Sequence, residues 1–241
     1  MSASLKASNE LNFCFPVREL ENERVLLTPF IHTKHAETVF NAYSEDHSLF
    51  AHMPLGPYDT AKQFVDDFIL GRIQSDPGMV AYAIYDKTHP SYPSPRSHAG
   101  MIGYLHSSAS DLQTEIGFVT VLPRFQRTHV ASNAIGLLMF YALDLPSAGG
   151  LGLRRCVWMA NSVNTASIRA AERMGFVKEG VLRWDRVWAT GSEKVGNGRE
   201  LRNGDPREGC LGRDSVVLSV CWDDWEGGVR EKVQGVMNRT N

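Results

Sequence analysis

The sequence predicts a mixed α/β (α+β) domain, a central β-sheet of about six or seven strands flanked by helices on both faces. Strand-like and helix-like segments alternate along the chain, with Pro and Gly punctuating them. A chain of 241 residues with 43% apolar content fits one core with loop insertions better than two independent domains. The expected layout is a polar tail over 1–17, a single domain over 18–225 with insertions near 87–98 and 189–213, and a second tail over 226–241.

Taken in order, Arg24 to Phe30 is strand-like, and a helix follows with Ala36, Val39, Phe40 and Tyr43 at three- and four-residue spacing. Pro54, Gly56 and Pro57 break the chain before Asp59 and Thr60, which open a second helix carrying Phe64, Phe68 and Ile69. Met79 to Tyr85 and Ala99 to Leu105 are strands separated by a segment with three prolines, which excludes a helix or an interior strand. Gln113 to Val121 is a third such strand, stopped by Pro123, and a strongly apolar helix runs from about His129 to Leu143. Arg155 to Met159 is a strand, and Asn164 caps a helix that Gly175 ends. Phe176 to Trp188 is extended, 189 to 213 reads as a solvated loop, and Asp214 to Trp222 alternates like a final strand.

Composition narrows the function. Lys and Arg total 25 against 27 for Asp and Glu, and a net charge of -2 gives no global field for nucleic acid or an anionic membrane. Cys14, Cys156, Cys210 and Cys221 lack paired spacing and read as reduced thiols. With no apolar leader-like run after Met1, the expected location is cytoplasmic. His32 and His35 lie three apart on a helix without an acidic or cysteine cluster, so they read as surface histidines, and no metal site is expected.

Three segments carry a resemblance. They are Thr114 to Phe118, then Phe125-Gln126-Arg127-Thr128-His129-Val130-Ala131, then Asn164 to Arg169 running into Met174-Gly175-Phe176. In this order they resemble the GCN5-related N-acetyltransferases, most closely the ribosomal-protein alanine acetyltransferase branch, over about residues 18 to 225. The resemblance implies a strongly twisted sheet, acetyl-coenzyme A as co-substrate, and a primary amine as acceptor, either a small molecule or a peptide N-terminus. It also implies a monomer or homodimer. The family's phosphate loop has glycine where His129 stands here, and many members have another at Arg127.

Chemistry assigns roles within that frame. The stretch Gln126, Arg127, Thr128, His129, Val130, Ala131 and Ser132 leads into a helix N-terminus, whose free N–H groups and dipole suit a pyrophosphate. The resemblance implies that Val119 to Val121 and Val157 to Ala160 border a slot for the pantetheine arm. Glu115 lies inside an apolar strand, and period-2 alternation groups it with Gly117 and Val119 while Ile116 and Phe118 point the other way. It is either salt-bridged at a sheet edge or a general base. Asn164 reads as a helix cap beside the cofactor. Ser167 either bonds the local backbone or offers its hydroxyl to the coenzyme A sulfur, where many family members use a tyrosine four residues before the Gly-Phe pair; this chain has Ala171 there. Phe50, His52, Tyr58 and Trp184 are candidates for the acceptor pocket, with core packing as the competing reading for Trp184 and Trp188. An acyl-coenzyme A-binding protein without turnover is the alternative function. A dinucleotide-binding fold lacks its glycine motif after an early strand.

Overall fold

The computed structural model describes residues 11–189 and 194–239. Eight strands form one sheet: β1 (Leu20–Glu21), β2 (Val25–Pro29), β3 (Val80–Asp86), β4 (His98–Ser108), β5 (Gln113–Val121), β6 (Arg155–Asn161), β7 (Val177–Val187) and β8 (Gly212–Cys221), in the order β1-β2-β3-β4-β5-β6-β8-β7. The eighth strand beyond the expected six or seven is β1, whose two residues are too short to show alternation. All neighbours are antiparallel except β5 and β6.

Helices cover both faces. On one side lie α1 (His32–Glu45) and α2, which starts as Ala61–Gln63 and continues as a π-helix over Phe64–Gln74. Thr60 caps α2 by accepting from Gln63 N–H at 3.0 Å, as its residue type suggests. These helices bury Val39, Tyr43, Phe64 and Phe68 against Met101 and Phe118 of the sheet. On the other side lie α3 (Val130–Leu143), α4 (Thr165–Arg173), and a C-terminal unit made of α5 (Trp222–Asp224, continuing over Trp225–Val229) and α6 (Arg230–Met237). Helix α3 buries ten of its fourteen residues, so its sequence is apolar nearly all round. Gly175 ends α4 with φ of 97°, a left-handed turn that glycine adopts without penalty.

Both expected tails need correcting. Before residue 18, Val17 is buried and Phe13 stacks on Tyr104 with centroids 6.2 Å apart. After residue 225, α6 buries Val233, Val236 and Met237 against α3, and a Cβ on Gly136 would come within 2.2 Å of Met237 Sδ. Trp225 is buried, packs edge-on to Phe140 at 5.1 Å and donates from Nε1 to Asp144 at 2.9 Å. Acidic and glycine residues dilute this segment's apolar pattern, which hides the helix from periodicity. His35 is also buried, not superficial: its Nδ1 accepts from Ile31 N–H at 2.9 Å, and its ring packs on Phe30, Tyr85 and His98. Burial lowers its pKa to about 4.

No disulfide links the four cysteines, and among the described residues no helix is long and apolar enough to cross a membrane. Trp225→Ala should cost about 3–5 kcal/mol in urea unfolding, the range for deleting a buried aromatic. Trp222→Ala, at a position 51% exposed, should change stability by less than about 0.5 kcal/mol.

Candidate active site

Strands β5 and β6 are hydrogen-bonded over only three residue pairs, Gln113 with Arg155, Thr114 with Cys156 and Glu115 with Val157. Beyond these, β5 runs on to Val121 and β6 to Asn161 without pairing to each other, so a wedge opens in the middle of the sheet. A cleft of about 470 Å³ passes through it. On the α3 and α4 side it is lined by Ala131, Ile135, Ser167 and Ala170, and on the α1 and α2 side by Met53, Arg72 and His106.

Two polar constellations occupy these two sides. Around Ser167, Trp158 Nε1 donates to Ser167 Oγ at 3.0 Å, and Asn164 Oδ1 accepts from Ser167 N–H at 3.1 Å as the α4 cap. With its oxygen already accepting, Ser167 has its own O–H left to donate. Across the wedge, His106 Nδ1 lies 2.8 Å from Glu115 Oε2. A carboxylate accepts, so Nδ1 carries the hydrogen and a neutral His106 presents the lone pair of Nε2. Glu115 is 8% exposed, whereas the His106 side chain is 51% exposed at the cleft. The Glu115 hydrogen bond raises the His106 pKa, with burial and the nearby Arg186 and Arg72 opposing.

The sequence was compared with known proteins. Residues 24–177 match the acetyltransferase (GNAT) domain, well over half of the chain. The chain belongs to the GNAT acetyltransferase family. It is accordingly an enzyme of acyl transfer. A probable GNAT-family acetyltransferase from Chromobacterium violaceum is similar, with 29% identity and a TM-score of 0.66, over 86% of this chain and 88% of that one. A GCN5-related N-acetyltransferase from Brucella melitensis has 25% identity and a TM-score of 0.70, over 91% and 85%. RimJ from Mycobacterium smegmatis in complex with CoA-disulfide shares the fold at 14% identity and a TM-score of 0.63, over 88% of both chains. No curated protein matches.

Against this GNAT frame the residues singled out in the sequence separate into groups. Glu115, Val119, Val121, Gln126, Ala131, Asn164, Ser167 and His52 line the cleft. Gln126 Nε2 donates to Val121 O at 3.0 Å, folding the loop back on the end of β5. Arg127 has φ of 60°, the left-handed conformation that explains glycine at this place in relatives. His129 does not crowd the loop: its Nε2 turns inward to Asp86 Oδ1 at 3.2 Å. Thr128 Oγ1 bonds Phe125 O at 2.6 Å, and Val130 is buried, so this pair shapes the turn. The N–H groups of Ala131 and Ser132 find no acceptor among the described residues, as first-turn amides do.

Three acceptor-pocket candidates lie elsewhere. Phe50 and Tyr58 belong to the aromatic cluster with Tyr43, Phe64 and Phe68 behind the cleft wall, because a ring there gains more from packing than from facing water. Trp184 is 46% exposed and covers Gly212 at a bulge in β7, while Trp188 is buried and donates from Nε1 to Val195 O at 3.0 Å. Alternation holds from Glu115 to Gly117 but fails beyond it. Phe118, with φ of 54° at a register shift, is an extra residue, so Phe118 packs with the α1 and α2 core and Ile116 with the opposite core.

Sequence reasoning missed His106, Trp158, Arg72, Arg186 and Arg213. For His106 the signal was there: a tight turn after Ser108 brings Leu105 opposite Glu115, which places His106 beside that carboxylate. The 189–213 loop is also more than solvated. Lys194 Nζ donates to Phe50 O at 2.8 Å and to Leu55 O, and Asn161 Nδ2 donates to Val195 O at 2.8 Å, so Lys194 and Val195 are tied to Leu55 and Asn161 of the cleft lining. Burial lowers Lys194 to about 8.

Because its partner raises His106, the pair adds stability that is fully present below the ordinary imidazole value of 6.5 and lost as pH rises through the raised value. An NMR titration should place His106 above 6.5, and Glu115→Gln should bring it down; an unmoved midpoint would dissolve the pair as a functional unit.

Proposed function

We propose that the protein is an N-acetyltransferase that uses acetyl-coenzyme A and delivers the acetyl group directly to a primary amine. The observation that carries this is a cleft through the sheet with a proton acceptor on one wall, His106 held by Glu115, and a hydroxyl donor on the other, Ser167 held by Trp158. The unpaired edges of the wedge suit an extended pantetheine arm added like a strand. The first-turn amides of α3, with Gln126 and Arg127 beside them, suit the pyrophosphate. Acetyl-coenzyme A, when bound, supplies the acetyl group as a thioester.

The chain's own residues then handle protons. An amine is protonated near neutral pH and attacks only after losing that proton. His106 Nε2 takes it, and Glu115 stabilises the resulting imidazolium. Ser167 donates a hydrogen bond where the thiolate forms. Ala171, at the family's tyrosine position, is fully buried, and Ser167 stands one helical turn earlier on the same face of α4. This substitution supports the alanine-acetyltransferase branch and a peptide N-terminus or small-molecule amine as acceptor. An acyl-enzyme route has little to use, since Cys156 is buried and burial pushes its thiol up.

The test is thiol release from acetyl-coenzyme A against an amine panel that includes peptides with different first residues. On a good acceptor, Glu115→Gln should lower kcat by about 10²–10⁴ and leave acetyl-coenzyme A affinity nearly intact. Wild-type rate should rise with pH through a midpoint above 6.5, because His106 must be neutral to act, and the variant's midpoint should fall. Ser167→Ala should lower kcat less, since water substitutes for a hydroxyl. Tight binding of acetyl-coenzyme A with no thiol release to any amine would favour the binding-protein alternative.

A further inference from the structure

The α1 and α2 side of the cleft holds more positive charge than its neighbours neutralise. Arg72 comes from α2, Arg186 from β7 and Arg213 from β8, and all three line the cleft. Arg186 and Arg213 are direct partners in the β7–β8 ladder, where like charges are unfavourable. Arg213 is 5% exposed, its Nε is buried without a hydrogen-bond partner, and among the described residues no carboxylate lies within 4 Å of it. Its guanidinium stacks 5.6 Å over Trp188, which accounts for the packing of the group and not for its charge. Arg72 donates to Pro54 O at 3.1 Å and has no carboxylate partner among the described residues. The carboxylates on this side are committed: Glu115 to His106, and Asp185 to Ser215 Oγ at 2.6 Å, with Arg186 at 3.6 Å. His52 adds a second buried nitrogen without a hydrogen-bond partner, its ring Nδ1.

Burial followed by the charge of Arg186 lowers the pKa of both Arg72 and Arg213, and the more distant Glu115, with Asp185 for Arg213, offsets this only in part. Removing a guanidinium from water without a counter-charge is costly, and buried cations are ordinarily paired. The pyrophosphate of coenzyme A is not the missing partner, because the α3 amides that suit it lie on the opposite side of the sheet. Guanidinium forks match carboxylate and phosphate oxygens.

We propose that the acceptor is an amine bearing an oxyanion, a carboxylate or a phosphate, which Arg213, Arg186 and Arg72 hold while the amine faces His106. This rests on the N-acetyltransferase reading. A polycationic amine would meet three guanidiniums at the same place, so the cluster selects against it.

Thiol release measured on matched pairs, β-alanine against β-alaninamide and O-phosphoethanolamine against ethanolamine, tests the idea and tells the two oxyanions apart. Wild type should prefer the anionic member of at least one pair by about tenfold or more in kcat/KM, and Arg213→Gln and Arg72→Gln should each collapse that ratio. If Arg213→Gln does not fold, Arg72→Gln decides alone. No preference in either pair, or a preference that survives in every folded variant, overturns the proposal. If no amine releases thiol, the acetylation reading fails by itself. Calorimetry of O-phosphoethanolamine and β-alanine with the coenzyme A-saturated protein then decides: binding lost on Arg72→Gln supports the anion site, and absent or unaltered binding overturns it.

Discussion

Everything at this site depends on the short parallel pairing of β5 with β6. A parallel neighbour requires a crossover, and here the crossover contains α3, which must leave the end of β5 and return to the start of β6. Three residue pairs fix the strands at one end, and nothing holds them together at the other. The helix therefore begins beside the widest part of the gap, with its first amides close to the open strand edges. One topological fact thus supplies an open slot between strand edges and a helix N-terminus at its mouth, the two features the proposed function uses. The neighbouring antiparallel pairs, β4 with β5 and β6 with β8, continue along the rest of each strand, so the gap does not propagate through the sheet.

The acceptor side is shaped by three bulges. His106, Phe118 and Trp184 are non-glycine residues with φ of 46°, 54° and 56°, and each lies within a register shift of its strand. Such backbone costs of order 1–3 kcal/mol per residue and persists only where neighbours over-determine it. The neighbours are visible: Glu115 holds the His106 ring, Phe68 packs edge-on to Phe118 at 4.9 Å, and Asp214 accepts from Trp184 N–H at 2.9 Å. The first bulge turns the imidazole to its carboxylate, the second puts Phe118 beneath Arg72, and the third precedes Asp185 and Arg186, which line the cleft.

Local signals were legible in the sequence where local physics decides the outcome. Gln113 to Val121 is a strand with those bounds, Asn164 caps α4, and Gly175 ends it, because alternation, a capping oxygen and a left-handed turn need no distant partner. What failed was long-range. Period-2 reading assumes an unbroken ladder, and the extra residue at Phe118 reverses the faces beyond it. His35 looked superficial because the rings that bury it come from β3 and β4. The C-terminal helix looked like a tail because its partner surface is α3, almost a hundred residues earlier. Trp158 gave no sign of its role, since only folding sets its N–H against Ser167.

The two sides of the wedge solve different electrostatic problems with different materials. On the α3 side, backbone amides offer partial charges that need no counter-ion when empty, which suits a co-substrate that comes and goes with its own bulk of negative charge. On the α2 side, full guanidinium charges surround the position proposed for the amine. A positive neighbourhood disfavours the ammonium form and lowers its pKa. An oxyanion on the same molecule offsets that repulsion at the moment of binding, and the amine remains next to His106 with part of its proton's hold already weakened. In the proposed reaction the arginines and the Glu115–His106 pair act in sequence on one proton: the first loosen it, the second receives it. An ammonium without an anion on the same molecule would meet the loosening but not the anchoring, so the proposal assigns binding and deprotonation to the same cluster of residues.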